Sequence, residues 1–269
     1  MTFDTAHRLI DRFADLPGLR GWRRRRYELR FQGRLGHAFW GVHPTFAAAA
    51  AAVPAGLPGD YDNDEAAGLY VERVQVDDHD RAPLFWLLEA LVRGARRICD
   101  LGGSTGIKYY AFAPLLKPAA AVNWHVIEVP AAAALGARLA AQHGVGDQLT
   151  FGSDRAAASG CDVLFLSGAL QYLPQSLGQI LAALTEKPRR VLVNTTPIHP
   201  HRSYFTLNNI GAACCPYRVT ARGEFVDEVV AQGYALRDEW RNIGKCLELP
   251  FDRDLSIEHY SGFCFERQG

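Results

Sequence analysis

The 269-residue sequence predicts an α/β fold built around a doubly wound parallel sheet. Two observations carry this prediction. From Arg97 onward, short apolar strands alternate with helical segments, which is the pattern of βαβ units. One strand also leads directly into a glycine-rich loop, Gly102 to Gly106, that a helix follows. A strand, a tight glycine loop and a helix in this order form a unit that cradles nucleotide-like ligands.

The elements follow one another in a regular order. Strands are predicted at 98–100, 122–128, 148–151, 162–166 and 190–194, with helices between them near 107–116, 130–143 and 175–186. A helix over 83–92 precedes the first strand. Residues 198–222 interrupt the alternation and are interpreted as an insertion. A helix at 224–232, a strand at 234–240 and a last, antiparallel strand at 262–266 complete the predicted sheet.

The first third of the chain is unlike the rest. We interpret residues 1–82 as a mainly helical lid or substrate segment in front of a domain at 83–269. An alanine-rich helix is expected around 47–52. A further apolar stripe at helical spacing is formed by Leu9, Ile10, Phe13 and Leu16.

A basic patch also lies in this segment, at Trp22 and Arg23–Arg26. Residues 1–34 contain nine arginines and four acids, so the region is strongly positive in a chain whose formal net charge is zero. Two interpretations remain open. The patch is either a solvated helix face or a weak peripheral dock for anionic lipid headgroups or a phosphorylated carrier.

Composition narrows the functional classes. Because the formal net charge is zero, we expect no nucleic-acid partner. Six cysteines without a Cys-x-x-Cys pair, no secretory signal pattern and no apolar run of spanning length indicate a cytoplasmic protein with reduced thiols. No metal is expected, since His79 lies in an acidic stretch without metal-ligand spacing and Cys214-Cys215 lacks partners for zinc.

The loop from Asp100 to Gly106 indicates the kind of ligand. A dinucleotide fingerprint would need glycine at 102, 104 and 107, but Ser104 and Ile107 stand at two of these positions. A Walker loop would need a Gly-Lys-Ser/Thr sequence, which does not follow. The acid two residues before Gly102 fits instead the Asp-x-Gly-x-Gly-x-Gly loop of class I S-adenosylmethionine (SAM) methyltransferases, with Ser104 in the middle glycine position.

Candidate cofactor residues occur at successive strand ends, which share one edge of such a sheet. The set comprises Asp100, Gly102, Gly103, Ser104, Gly106, Glu128, Val129, Ser153, Asp154, Ser167, Gly168 and Ala169. The glycines permit close backbone approach to the methionyl carboxylate, and the turn after the fourth strand would flank the adenine and the sulfonium.

Three acids in this set match particular parts of SAM. Asp100 would position the ammonium, Glu128 would accept the ribose hydroxyls, and Asp154 would accept the adenine amino group. Each acid also has a plainer explanation. Asp100 fits a helix cap, and the other two fit ordinary surface acids.

Transfer of a methyl group to oxygen needs positioning and a residue that takes the proton. His199 and His201 follow the fifth strand, and histidine titrates near neutral pH. Tyr172 is the other candidate. The alternatives are a structural or solvated His-x-His loop and an aromatic side chain that packs against the adenine or the lid. Because Ser167 rather than an acid follows the fourth strand, no magnesium-dependent catechol-type site is indicated.

Residues from about Phe39 to Glu266 resemble class I SAM-dependent methyltransferases encoded among bacterial cell-surface polysaccharide and related biosynthetic genes. The matching stretches are Ile98–Gly106, Trp124–Pro130, Leu166–Leu173 and Thr196-Pro197, with Phe39-Trp40-Gly41 and Tyr61-Asp62 upstream. The resemblance implies SAM as the cofactor and a seven-stranded, Rossmann-like methyltransferase sheet. Thr195 departs from the pattern, because a basic residue was expected before Thr-Pro.

The resulting functional hypothesis is a SAM-dependent methyltransferase. Its acceptor would be a small molecule or a carrier-linked biosynthetic intermediate, with oxygen favoured as the methylated atom. The alternative is a catalytically silent SAM-fold module that scaffolds a biosynthetic partner. A different nucleotide enzyme on the same sheet is disfavoured by Asp100 and by the failed dinucleotide pattern.

Overall fold

The computed structural model describes residues 17–62, 65, 68, 74–116 and 121–268. The apolar stripe predicted from Leu9 to Leu16 lies outside these residues. Among the helices that are described, none combines the length and apolar character needed to cross a membrane.

The elements are numbered in chain order. The helices are α1 Pro17–Phe31, α2 Phe46–Ala51, α3 Arg81–Val92, α4 Ile107–Leu116, α5 Pro130–Gln142, α6 Leu177–Ala183 and α7 Arg222–Val230. The strands are β1 Ala38–His43, β2 Arg97–Leu101, β3 Asn123–Ile127, β4 Leu149–Gly152, β5 Val163–Ser167, β6 Arg190–Thr196, β7 Ile198–His199, β8 Tyr204–Asn209, β9 Cys214–Ala221, β10 Tyr234–Asn242 and β11 Tyr260–Arg267.

The main sheet has seven strands in the order β10-β11-β6-β5-β2-β3-β4. Strands β2 to β6 run parallel to one another, whereas β11 is antiparallel to both β6 and β10. This arrangement confirms the predicted α/β fold with a seven-stranded, Rossmann-like methyltransferase sheet. Strand β2 lies between β3 and β5, so the strand order reverses there. We call the carboxyl ends of β2 and β5 the crevice, because open α/β sheets bind ligands at such a point.

Both faces of the main sheet are covered. Along β5, Val163 and Phe165 belong to the core that includes α3 and α4, while Leu164 and Leu166 belong to the core that includes α6 and α7. A strand buried on both sides is typical of a parallel sheet, which explains the continuous apolar sequence of β5.

A second, four-stranded sheet joins two distant parts of the chain in the order β1-β8-β9-β7. Its strands β7, β8 and β9 come from the predicted insertion at 198–222, which therefore has regular structure. Strand β1 comes from the segment predicted to be mainly helical, and it pairs antiparallel with β8. Among the described residues, that segment thus holds α1 and α2 together with a strand that the sequence analysis missed. The domain division at residues 82 and 83 stays a prediction.

Asn209 fixes the N-terminal segment onto this small sheet. Its side chain is fully buried and donates to the carbonyl oxygens of Phe31, at 2.8 Å, and Gly33, at 2.7 Å. Its amide oxygen accepts from the backbone N–H groups of Leu35, at 3.3 Å, and Gly211, at 2.9 Å. One amide therefore satisfies four backbone groups where α1 ends and β8 ends.

We expect Asn209→Ala to lower the free energy of unfolding by about 1–3 kcal/mol, because it leaves buried backbone groups without partners. The same variant should speed proteolytic cleavage between Phe31 and Ala38. Urea unfolding and limited proteolysis measure the two effects. Asn123→Ala, at an exposed position of β3 in the main sheet, is the matched amide deletion. Equal stability of the wild type and Asn209→Ala would contradict the anchoring role.

Candidate functional site

The glycine loop after β2 is held against the sheet by its own neighbours. Gly102 has φ of +77°, and a Cβ there would overlap the Cβ of Ala169 in the loop after β5. A Cβ on Gly103 would overlap the Asp100 carboxylate. The sequence analysis expected these glycines to make room for a ligand. In the structure, the space that their missing side chains leave is filled by the protein itself.

Ser104 occupies the middle position of the loop with φ of +53°. This left-handed conformation costs a non-glycine residue about 1–3 kcal/mol, which explains why glycine suits the position. The backbone N–H of Ser104 donates to Oε1 of Glu128 at 3.0 Å, so the strained residue is tied to the end of β3.

Asp100 is fully buried at the carboxyl end of β2. Its Oδ2 accepts from Nε1 of Trp124 at 3.1 Å, whereas its Oδ1 has no hydrogen-bond partner among the described residues. The pKa of Asp100 is raised to about 7, mainly by burial and in part by the charge of Glu128, while Trp124 and Lys108 oppose the shift. Asp100 thus presents an unsatisfied acceptor that favours a cationic or donating ligand.

Glu128 connects the two halves of the predicted cofactor site. Its Oε1 accepts from Ser104 N–H and its Oε2 accepts from Val129 N–H at 2.8 Å. Burial raises the pKa of Glu128, although these two backbone hydrogen bonds oppose the shift. The carboxylate therefore links the glycine loop to the start of α5 and keeps further lone pairs for a ligand.

Residues of the N-terminal segment reach the same edge of the sheet. Oδ1 of Asp62 accepts from the Ala131 N–H at 3.1 Å, in the first turn of α5. The Tyr61 ring packs edge-on against Tyr172, with centroids 4.9 Å apart. Tyr61 and Asp62 were noted in the sequence only through the family resemblance. The structure brings them to the strand ends that carry the candidate cofactor residues.

Ser153 and Asp154 lie on an exposed turn after β4. Oδ1 of Asp154 accepts from the Ala156 N–H at 2.9 Å and caps the 3-10 turn Arg155–Ala158. This contact gives Asp154 a structural role, and its predicted contact with adenine stays a prediction.

The turn after β5 meets the glycine loop at the crevice. Gly168 N–H donates to the Asn194 carbonyl at 2.9 Å, and the side-chain amide of Asn194 donates to Oγ of Ser167 at 3.5 Å. Ala169, which follows, is the residue against which Gly102 packs. The predicted residues Ser167, Gly168 and Ala169 therefore lie beside the loop that contains Gly102.

Thr195 also departs from regular geometry. It has φ of +54°, and the pairing of β6 with β11 shifts register there. A left-handed β-branched residue is uncommon, and bulges of this kind often lie next to functional sites. The Thr195 carbonyl accepts from the Gln171 side-chain amide at 3.3 Å, which holds the bulge against the turn after β5.

The three predicted proton acceptors have different surroundings. His199 is buried, its Nε2 contacts the Asp254 carbonyl at 3.0 Å, and its Nδ1 accepts from the N–H groups of His201 and Arg202. Both ring nitrogens are therefore engaged, which weighs against His199 as a base. The His201 residue is exposed. The Tyr172 hydroxyl donates to Oδ1 of Asn208 at 3.0 Å, so this residue ties the turn after β5 to the small sheet.

The sequence analysis missed a buried polar cluster at the start of α3. Asp80 is fully buried and its Oδ2 accepts from Nζ of Lys108 at 2.6 Å. Nε2 of His79 lies 3.5 Å from Oδ2 of Asp77, and burial lowers the pKa of His79. The His79 carbonyl accepts from the Asn194 side chain at 3.1 Å, which places the cluster beside the carboxyl end of β6.

This cluster corrects our interpretation of the acidic stretch. Ligand atoms of Asp77, His79 and Asp80 lie within 4.8 Å of one another, although their spacing in sequence did not suggest a common site. The ammonium of Lys108 already pairs with Asp80, so the group is balanced in part by a protein cation. The alternation of Asp and His was the available signal, and its burial could not be inferred from the sequence.

Comparisons with known proteins were made by sequence and by structure. By sequence, the chain matches no protein-family model and no curated protein. By structure, it is similar to the 1,6-didemethyltoxoflavin-N1-methyltransferase of Burkholderia thailandensis, with 17% identity, a TM-score of 0.48, and coverage of 76% of this chain and 83% of that chain. The methyltransferase CcbJ of Streptomyces caelestis has 18% identity, a TM-score of 0.48, and coverage of 78% of this chain and 99% of that chain.

A third similar structure is a geranyl diphosphate methyltransferase in complex with SAM, with 13% identity, a TM-score of 0.49, and coverage of 87% of this chain and 100% of that chain. The ligands and substrates of these three proteins are not assigned to this chain. The assignment of a reaction to this chain rests on its own residues and on the strand order of its sheet.

The raised pKa of Asp100 predicts a pH dependence of stability. Its pKa rises from an ordinary 3.8 to about 7 on folding, so the folded state binds more protons between these values. The contribution of the protonated side chain is complete below the lower value and is lost as the pH rises through about 7. Relative to Asp100→Asn, which cannot titrate, the wild type should lose free energy of unfolding between pH 5 and 7.5. Urea unfolding across this range measures the difference. If the free energies of unfolding of the two proteins change in parallel with pH, the raised pKa of Asp100 is contradicted.

Proposed function

We propose that this protein is a SAM-dependent methyltransferase that acts on a small-molecule or carrier-linked biosynthetic intermediate, at oxygen. The observation that carries the proposal is the pair of acids on either side of the glycine loop. Asp100 presents a buried oxygen that has no hydrogen-bond partner in the described part of the chain, and Glu128 lies at the end of the neighbouring strand and holds Ser104. Acceptors at successive strand ends beside such a loop suit a ligand with an ammonium and a ribose diol.

The residues present fit SAM in their donor and acceptor chemistry. Oδ1 of Asp100 offers the ammonium an acceptor that the described residues leave unsatisfied. Glu128 would hold the ribose hydroxyls, and the loop around Gly103 would meet the methionyl carboxylate with backbone N–H groups. The turn from Ser167 to Ala169 would lie along the adenine and sulfonium side, with Asp154 as the proposed acceptor for the adenine amino group.

When bound, SAM supplies a methyl group that is electrophilic because it is carried by a sulfonium. The chain's part is to hold the acceptor oxygen in line with that group and to keep water away. Tyr61 and Tyr172 pack together at this edge and would cover the acceptor. Their contact supports the proposed lid function of the N-terminal segment.

An oxygen acceptor also loses a proton. His199, His201 and Tyr172 stay the candidates from the sequence, but the engaged nitrogens of His199 make His79 the better-supported choice. His79 lies beside the end of β6, and burial lowers its pKa, which favours the neutral imidazole that a base needs. The nearby carboxylates of Asp77 and Asp80 would stabilise the imidazolium once the proton arrives.

The finer parts of the functional hypothesis rest on the sequence alone. These are the association with polysaccharide gene clusters, the carrier-linked form of the acceptor and the cytoplasmic location. In the described part of the chain, the loops at the carboxyl ends of the strands pack closely against one another. This packing is also compatible with the alternative function, a catalytically silent scaffold that keeps the cofactor site. Formation of S-adenosylhomocysteine separates the two functions.

We expect SAM to bind the wild type and Glu128→Ala to weaken that binding by about 1–3 kcal/mol, because a partly buried carboxylate partner is lost. Isothermal titration calorimetry measures the affinity. Asp162→Ala is the matched control, since Asp162 likewise accepts from two backbone N–H groups, of Arg96 and Arg97, but at the opposite edge of the sheet. No heat of binding to the folded wild type, or equal losses in both variants, would refute the cofactor site.

A turnover assay follows the binding test. Purified protein with SAM and a panel of hydroxylated sugars, phenols and acyl acceptors should release S-adenosylhomocysteine with at least one of them. Tight binding of SAM without release across the panel would favour the scaffold.

A further inference from the structure

We propose that helix α1 is an interfacial helix that docks this protein onto an anionic lipid bilayer. The inference goes beyond methyl transfer, because it concerns a surface of the molecule that the cofactor site does not use. It also gives the predicted basic patch a geometry, since it specifies which face of α1 meets the membrane and what holds the other face.

One face of α1 is fixed to the protein. Phe31 is buried, and Tyr27 packs against Trp40 with ring centroids 5.6 Å apart. The Tyr27 hydroxyl donates to the Phe39 carbonyl at 3.1 Å, and the Arg20 guanidinium donates to the Phe251 carbonyl at 2.8 Å. These contacts define the inner face of α1, and the residues on the opposite side of the helix therefore face outward.

The outer face carries large apolar side chains in the open. Leu19, Trp22 and Leu29 are 49%, 59% and 62% exposed. Together with Arg26 they follow one another at helical spacing, so they form a single stripe along the outside of α1. The described residues place no other element over this stripe. Arg26 stacks on the Trp22 ring, with its guanidinium carbon 5.3 Å from the centroid.

Charge surrounds the apolar stripe. Helix α1 contains six arginines and one glutamate, and on the outer side Arg25 and Arg30 flank the stripe. The formal charge of the whole chain is zero, so this concentration of positive charge is a local property of α1. An apolar stripe that includes a tryptophan, bordered by arginines, is the pattern of helices that lie in the interface of a negatively charged bilayer.

A bilayer fits better than nucleic acid. A nucleic-acid surface would use the arginines but would leave Leu19 and Leu29 in water, because phosphate contacts reward charge alone. A bilayer rewards both features, since the apolar stripe enters the acyl boundary while the arginines meet the headgroups.

Helix α1 is also connected to the candidate site. Tyr27 holds Phe39 of β1, Phe39 pairs with Asn208 of β8, and Asn208 accepts from the Tyr172 hydroxyl. A bilayer under α1 would therefore be connected to the turn after β5 through the small sheet.

Vesicle sedimentation tests the proposal with the full chain and without cofactor or acceptor. The wild type should bind vesicles of phosphatidylcholine with phosphatidylglycerol and not vesicles of phosphatidylcholine alone. Binding should weaken as salt is added, because exposed charges are screened. Arg25→Gln/Arg30→Gln should lower the partition coefficient by about tenfold or more. Trp22→Ala should lower the partition coefficient by about tenfold, because it removes the ring that would enter the bilayer.

Matched controls separate α1 from general effects. Arg138→Gln/Arg241→Gln removes the same charge from exposed positions outside α1, and Val92→Ser removes an apolar side chain that is 79% exposed. Both controls should bind vesicles like the wild type. All variants alter exposed side chains, so circular dichroism melting should stay unchanged.

Three results would overturn the proposal. The first is that the wild type binds neither kind of vesicle. The second is that the α1 variants and the controls lose vesicle binding equally. The third is that the arginine variant loses vesicle binding whereas Trp22→Ala does not. The last result would indicate a charge patch for another polyanion, which duplex DNA in the same assay would reveal. SAM affinity is measured in parallel. Failure of the wild type to bind SAM would refute the cofactor site and leave vesicle binding to decide the role of α1.

Discussion

The close approach of two loops at the crevice of the main sheet determines how this molecule is built. The loop after β2 touches the turn after β5 so closely that a Cβ on Gly102 would overlap Ala169. This contact closes the floor of the site and makes the chain turn with a positive φ. It therefore presses the loop onto Asp100, and it explains why the next residue must also be glycine. The constraint is steric, but its consequence is electrostatic, since it seals a carboxylate away from water.

The site is acidic in its interior. Asp80 and Asp100 are fully buried, and Lys108 at the start of α4 is the cation that faces Asp80 and lowers the pKa of Asp100. Burying carboxylates is costly unless a partner balances them. Asp80 has its balance in Lys108, whereas Asp100 retains an oxygen without a partner and responds with a raised pKa. A ligand that brings a cationic group to Asp100 would remove this penalty, which gives the site a physical preference that a merely structural loop would not have.

The main sheet could be predicted because short, continuous stretches of sequence determine each of its elements. Apolar runs such as β5 and the glycine loop specify their own conformation, and the antiparallel last strand follows from the order of elements. The pairing of β1 with β8 was not predictable in this way, since it joins segments far apart in the chain and depends on Asn209 inside a fold already formed. The sites show the same division. Asp100 and Glu128 were predicted from their places at strand ends, where the structure has them, and their contact with a cofactor stays a prediction. His199 was predicted without knowledge of the carbonyl and N–H groups that surround its ring.

Burial explains the remaining difference. His79 lies in a stretch of charged residues that looks solvated, and only the packing of α3 against β6 turns it into part of an enclosed cluster with Asp80 and Lys108. Helix α1 is the opposite case, because the sequence around Trp22 is consistent with a solvated helix face until the structure shows that Tyr27 and Phe31 face inward. The remaining apolar residues of α1 must then face outward, as Trp22 does. A buried polar stretch and an exposed apolar stripe are both exceptions to the usual rule that apolar side chains are buried and charged ones are exposed. Folding explains part of the enclosed cluster, because Asp80 forms a capping box with Asp77 and pairs with Lys108. Among the described residues no such contact accounts for the outer face of α1, so the function of that surface is argued from its exposed side chains and its charge.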